Sequence, residues 1–231
     1  QEAIEEKSNE ITAIPKRLAL LELKNGLVTL EAMGCPKPMA AQIVKPGGDY
    51  VLGLKGHQGS LHEAVVEFFQ TAEENSYTGV KYEFKEEIDK GHGRLETRRY
   101  WVTEHLETLP AAHKWAGLRS MGQVERIGWQ NGQETRERRY FINSISANAE
   151  LFALAVREHG RVENRLHGRL DVIVREDASR IGNAPAIMTT VRHLCLGFFD
   201  FDSIPGSLAK KRRQASWNDN YRAKLVFGKK F

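Results

Sequence analysis

Two short apolar runs, separated by a helical stretch and a Pro-Gly-Gly stop, constrain this chain more than any other feature of its sequence. Leu27–Leu30 and Tyr50–Leu54 each have the length and composition of a buried strand. Between them, Pro38 to Val44 reads as a helix that Pro46-Gly47-Gly48 ends, because proline cannot continue the helical hydrogen-bond ladder. Strand, helix and strand joined by short connections make an α/β unit. Ile11 to Leu23, ahead of it, has helical periodicity after a Ser8/Asn9 start, with Pro15 in its first turns. Glu31 follows the first strand directly, at the strand end where α/β sheets commonly place catalytic groups.

The texture changes from about His62 to Ser146. Arg94 to Val102, Gln123 to Trp129 and Glu134 to Asn143 carry aromatic and β-branched residues with partial alternation, and Asn131-Gly132 is a hairpin signal because both residues tolerate positive φ. This region is expected to be a mostly β insertion. Trp101, Trp115 and Trp129 fit its core better than they fit stacking on unpaired bases.

Helical patterning resumes near Ala147 and leads to the stretch Arg157 to Arg180, REHGRVENRLHGRLDVIVREDASR. At helical spacing His159, Glu163 and His167 share one face, beside an apolar stripe of Leu151, Ala155, Val162, Leu166 and Leu170. Arg157, Arg161, Arg165 and Arg169 recur every four residues along the same element, a cationic row able to meet phosphates. A carboxylate among cations can hold a divalent metal while the cations draw in a polyanion such as DNA. The plainer reading is an amphipathic helix with a solvated charged face and intrahelical ion pairs. Zinc held by His159, Glu163 and His167 is a weaker alternative with no third strong ligand assigned. Asp171, Glu176 and Asp177 read as partners for the arginines. Beyond them, Ala184 to Phe199 is apolar enough for a core helix, and Ala209 to Lys230 is basic, with Lys210, Lys211, Arg212 and Arg213 equally suited to phosphate contact or to a solvated helix end.

Charge and cysteine content narrow the setting. Thirty-four Lys and Arg against 30 Asp and Glu give a net charge of +4, and the pI is near 9.0, compatible with a nucleic-acid partner. Only Cys35 and Cys195 occur and nothing reads as a signal peptide, which points to a reducing cytoplasm. No apolar run approaches the roughly 18 residues of a membrane span. The chain opens on Gln rather than Met, which raises the expectation of a fragment or processed product.

The Arg157 to Arg180 stretch resembles the C-terminal signature of a family of bacterial insertion-sequence transposases, the group that includes the H-repeat-associated proteins of Rhs elements. In that signature an R-x-H-W-x-I-E-N-x-L-H-W-x-L-D-V-x-F-x-E-D-x-x-R run carries the last acidic residue of a DDE triad. Arg157, His159, Glu163, Asn164, Leu166, His167, Leu170, Asp171, Val172, Glu176, Asp177 and Arg180 match it. KSNEITAIPKRLALLELKNGLVTLEAMGC resembles the family's K-S-N-E-I-T-A-I-P segment and the strand bearing its second aspartate, and GHGRLETRRYWV, Gly91 to Val102, resembles the G-H-G-R-x-E-T-R element between them. The three blocks stand in family order and span most of the chain.

The resemblance implies an RNase H-like α/β core, incomplete at the N-terminus, interrupted by the β insertion and followed by C-terminal helices. It divides the chain into 1–61 (second part of the core), 62–146 (insertion) and 147–231 (helical part carrying the last acidic residue). It implies metal-dependent phosphoryl transfer on the DNA ends of an insertion sequence, with Mg²⁺ or Mn²⁺ held by Glu31 and Glu163. DNA contacts would come from Arg157, Arg161, Arg165, Arg169, His159 and His167; the sequence leaves a homodimer open. It also marks departures. Glu31 stands where the family has Asp, Gly160 and Gly168 replace the two Trp of the signature, and the strand bearing the first Asp would lie upstream of Gln1. A degenerate transposase that binds duplex DNA but fails to cleave it is therefore expected; the rival is a non-catalytic DNA-binding protein derived from such an element.

Overall fold

A computed structural model of the 231-residue chain describes residues 10–31, 37–56, 59–91, 94–130, 132–162, 168–175, 180 and 185–228. The fold is α/β. The described residues cluster into two compact units, which divide between His159 and Gly160.

The first unit is built on a six-stranded sheet. In chain order it contains α1 (Glu10–Leu18), β1 (Leu27–Leu30), α2 (Lys37–Val44), β2 (Asp49–Leu54), α3 (Ser60–Glu74), β3 (Tyr82–Gly91), β4 (Arg94–Thr103), β5 (Ser120–Gln130), β6 (Gln133–Asn143) and most of α4 (Ala149–Val162). The spatial order is β1-β2-β6-β5-β4-β3. β1 and β2 run parallel across the α2 crossover, as the sequence anticipates, and every other pairing is antiparallel. At the end of that crossover, a Cβ on Gly48 would lie 2.8 Å from the Leu23 carbonyl oxygen and 2.9 Å from that of Ile43, so only glycine lets the chain turn into β2 there.

Alternation along the strands sends successive side chains to opposite faces. Tyr50, Leu52, Leu54, Trp101, Met121, Tyr140 and Ile142 pack with Met39 and Ile43 of α2 and Leu61, Val65 and Phe69 of α3. Val51, Tyr100, Val102, Val124 and Phe141 pack instead with Ala149, Phe152, Ala153 and Ala155 of α4. The Phe152 ring lies so close over Gly122 that an added Cβ would come within 2.5 Å of it. Helices thus cover both faces of one end of the sheet.

The expected β region begins later than the sequence suggests. Residues 60–74, placed partly inside it, form α3, because Leu61, Val65, Phe69 and Ala72 recur at helical spacing and are buried. The four strands that follow join the sheet of the α/β unit, β6 pairing with β2 so that Leu54 stands opposite Tyr140. The hairpin closes with Gln130 opposite Gln133 and Gly132 at φ +77°; Asn131 lies outside the described residues. Trp115 is buried and Trp101 packs on Phe84, whereas Trp129 is 45 % exposed.

The second unit is helical: α5 (Gly168–Val174), α6 (Pro185–Phe201), α7 (Leu208–Trp217) and α8 (Asp219–Phe227). Leu170, Leu196 and Phe199 form its core, with Leu208, Ala215 and Leu225 against them. The apolar α6 buries Leu196 and Phe199 but leaves Ile187, Val191, Leu194 and Phe201 exposed. Lys211, in the basic run, is buried: its ammonium donates to the carbonyls of Phe199 and Asp202, both 2.8 Å away, and satisfies the end of α6. Asp202 accepts from the Tyr221 hydroxyl at 2.8 Å and ties α8 to the same point. No described helix is long and apolar enough to cross a membrane.

Candidate functional site

Glu31 leaves the C-terminal end of β1 on the face covered by α4. The period of two along β1 puts Thr29 on the same side, and the last turns of α4 bring His159 over both. Nδ1 of His159 lies 3.0 Å from the Thr29 hydroxyl, and its Nε2 lies 3.9 Å from Oε1 of Glu31. The side chains of His159 and Glu31 are 34 % and 52 % exposed, so solvent and a ligand can reach the pair. Two positions identified from the sequence for different reasons, a strand-end carboxylate and a helix histidine, are thereby neighbours. Thr29 escaped notice as a polar residue in an apolar run, although its position two residues before Glu31 was the available signal.

Glu163, Arg165 and His167 lie outside the described residues, so the expected approach of Glu163 to Glu31 is not described, and neither is the histidine-glutamate zinc alternative. Among the described residues no group of three His, Cys, Asp or Glu converges to hold a metal.

Of the arginine row, Arg157 and Arg161 lie in α4 and Arg169 lies in α5, while Arg165 is outside the described residues. Gly160 sits in the last turn of α4 and Gly168 opens α5, each about 1 kcal/mol weaker than alanine as a helix former. Arg157 reaches Glu87 at 3.6 Å and Asp89 at 4.0 Å on β3. Arg169 holds both oxygens of Asp200 on α6, at 2.9 and 3.1 Å. These two cations pair carboxylates within their own units.

No family model matches the chain. It is 38 % identical to the H repeat-associated putative transposase YhhI of Escherichia coli strain K12, over 97 % of its own length and 61 % of the relative's. It is 38 % identical to the putative transposase YncI of Escherichia coli O157:H7 over 94 % of its length and 57 % of the relative's. A shorter match, 44 % identity over 105 residues, links it to the H repeat-associated putative transposase YbfD of Escherichia coli strain K12, covering 46 % of the chain and 40 % of that relative. The chain is similar over nearly its whole length to H repeat-associated putative transposases. It spans about three fifths of the length of YhhI, and the match to it takes in nearly the whole chain, β1 and α4 included.

For a divalent cation, the described donors fit in kind. A carboxylate and an imidazole stand at a half-exposed strand end, and Mg²⁺ or Mn²⁺ commonly takes one or two carboxylates with water and substrate phosphate filling the rest of its shell.

Proposed function

We propose that this protein is a DDE-type DNA transposase with an RNase H-like core, acting on the duplex ends of an insertion sequence by metal-dependent phosphoryl transfer, in a degenerate copy. The observation that supports it most is the placement of Glu31 at the end of β1 directly beside His159 of the signature helix. In this reading Glu31 and Glu163 are the metal-holding carboxylates, and His159, His167 and the arginines Arg157, Arg161, Arg165 and Arg169 lie along the approach of the DNA backbone. Mg²⁺ or Mn²⁺, when bound, supplies activation of the attacking hydroxyl and neutralisation of charge on the leaving oxygen. The chain's own work is to hold the phosphate in line and to fix the carboxylates, the first through cationic side chains and the second through the rigid end of β1.

Degeneracy rests on Glu31. A glutamate where the family carries aspartate shifts the carboxylate by about a bond length, while catalytic groups tolerate only about 0.5 Å of displacement. Binding to phosphates needs no such accuracy, so DNA affinity and chemistry separate. The test is a nicking assay in Mg²⁺ or Mn²⁺ on duplex DNA carrying the element's ends, with filter binding in parallel. Salt-steep binding is expected from the unmodified chain, and nicking is expected neither from it nor from Glu31→Asp alone, because the first aspartate of the triad is also missing. Nicking by the unmodified chain that Glu163→Ala removes contradicts the degenerate reading. DNA binding with no Mn²⁺ binding that depends on Glu31 and Glu163 favours the rival, a non-catalytic DNA-binding protein derived from a transposase.

A further inference from the structure

We propose that His159 is a nitrogen ligand of the divalent metal at Glu31, an inference that rests on the reading of Glu31 as a metal-holding carboxylate. Metal to oxygen and metal to nitrogen bonds of about 2.0 to 2.2 Å place neighbouring donors of one ion roughly 3 Å apart and opposite donors roughly 4.3 Å apart. The 3.9 Å between Nε2 of His159 and Oε1 of Glu31 falls between these limits, so an ion can bridge the two with a small rotation of an exposed carboxylate. The other ring nitrogen is held as metal-binding histidines usually are. Nδ1 lies 3.0 Å from the Thr29 hydroxyl, and when Nδ1–H donates to that oxygen, the lone pair of Nε2 is directed toward Glu31. Thr29 belongs to a strand paired along its length with β2, so the ring is oriented by a rigid support.

The chemical consequence is metal choice. Mn²⁺ accepts an imidazole nitrogen more readily than Mg²⁺, which holds to a shell of oxygens and water. A nitrogen beside one carboxylate therefore favours Mn²⁺ over Mg²⁺ at this site, and His159 acts on the metal while bordering the approach of the DNA. Thr29 is its positioning residue.

The experiment is Mn²⁺ titration of the 231-residue chain followed by electron paramagnetic resonance, with pulsed detection of nitrogen coupling to the bound ion. Unmodified protein is expected to bind Mn²⁺ and show imidazole nitrogen coupling. His159→Ala is expected to lose that coupling and at least tenfold in Mn²⁺ affinity with a smaller loss for Mg²⁺, and Thr29→Val about tenfold in Mn²⁺ affinity. Circular dichroism of each variant checks the fold. Mn²⁺ bound in a Glu31-dependent way without nitrogen coupling in the unmodified protein, or with coupling that survives His159→Ala, overturns the role of His159 and leaves the reading of Glu31 intact. Binding that is unchanged in Glu31→Gln overturns both.

Discussion

The two ends of the sheet are built from opposite materials. Where α2, α3 and α4 cover it, the strands carry Val51, Leu52, Tyr100, Met121 and Ile142, all almost wholly buried. Farther along the same strands the rows are charged. On one face Glu86, Arg99, Glu125 and Arg138 stand opposite one another across β3, β4, β5 and β6 in alternating sign. Glu125 is only 2 % exposed, accepts from Arg138 at 2.8 Å and lies 3.6 Å from Arg99, while Arg138 also reaches Glu73 of α3 at 2.7 Å. Burial works against the Arg138 charge, but the hydrogen bonds from Glu73 and Glu125 outweigh it and hold its pKa above the ordinary arginine value. On the other face Arg98 stands directly opposite Arg126, a repulsive pair that the buried Glu96 relieves by binding both. Hydrophobic burial fixes the end of the sheet that carries Glu31, and charge pairing sets the register of the strands that extend from it.

Breaking the apolar end should do the most damage. Phe152→Ala removes the ring seated on Gly122 and should cost about 3 to 5 kcal/mol in denaturant unfolding. Glu125→Ala removes the buried carboxylate shared by Arg99, Arg136 and Arg138; removal of one partner from a buried ion pair costs about 3 to 5 kcal/mol, and the partial exposure of these guanidiniums and their second carboxylates lower the expected loss to about 2 kcal/mol. A cost for Glu125→Ala equal to that of an exposed pair would mean that the ladder contributes nothing to register.

A smaller, pH-dependent effect belongs to the helical unit. Burial favours the protonated form of Asp202, but the Tyr221 hydroxyl, the Ile204 backbone, Lys211 and Lys224 together hold its pKa below the usual carboxylate value. The folded unit therefore binds that proton more weakly than the unfolded chain does. Its contribution is whole above about pH 4 and is lost as pH falls through the depressed value. Tyr221→Phe should flatten this acid dependence in thermal melts taken between pH 5 and about pH 2. The smallest effect is expected at the half-exposed Glu86–Arg99 pair, where Glu86→Gln should change stability by about 0.5 kcal/mol or less.

The same contrast explains what could be read from the sequence. Apolar runs made β1, α2 and β2 legible together with the strand-end position of Glu31. β3, YEFKEEIDKG, carries so many charges that no buried-strand pattern stands out, and only its partners on β4 give those charges a place. Spacing of four set the phase of the arginine row, of which Arg157 and Arg161 lie in α4 and Arg169 in α5. Lys211 reads equally as a phosphate contact or a solvated helix end, because nothing local announces that a lysine will cap another helix. The candidate site was half legible: Glu31 and His159 were named, whereas their proximity and the place of Thr29 depend on the packing of α4 over the sheet.

The most direct test of the account is a crystal structure of the chain with Mn²⁺ and its anomalous map. A metal peak touching the carboxylates of both Glu31 and Glu163 is the expected result. Carboxylates more than about 12 Å apart, beyond what a two-metal cluster can bridge, would contradict it.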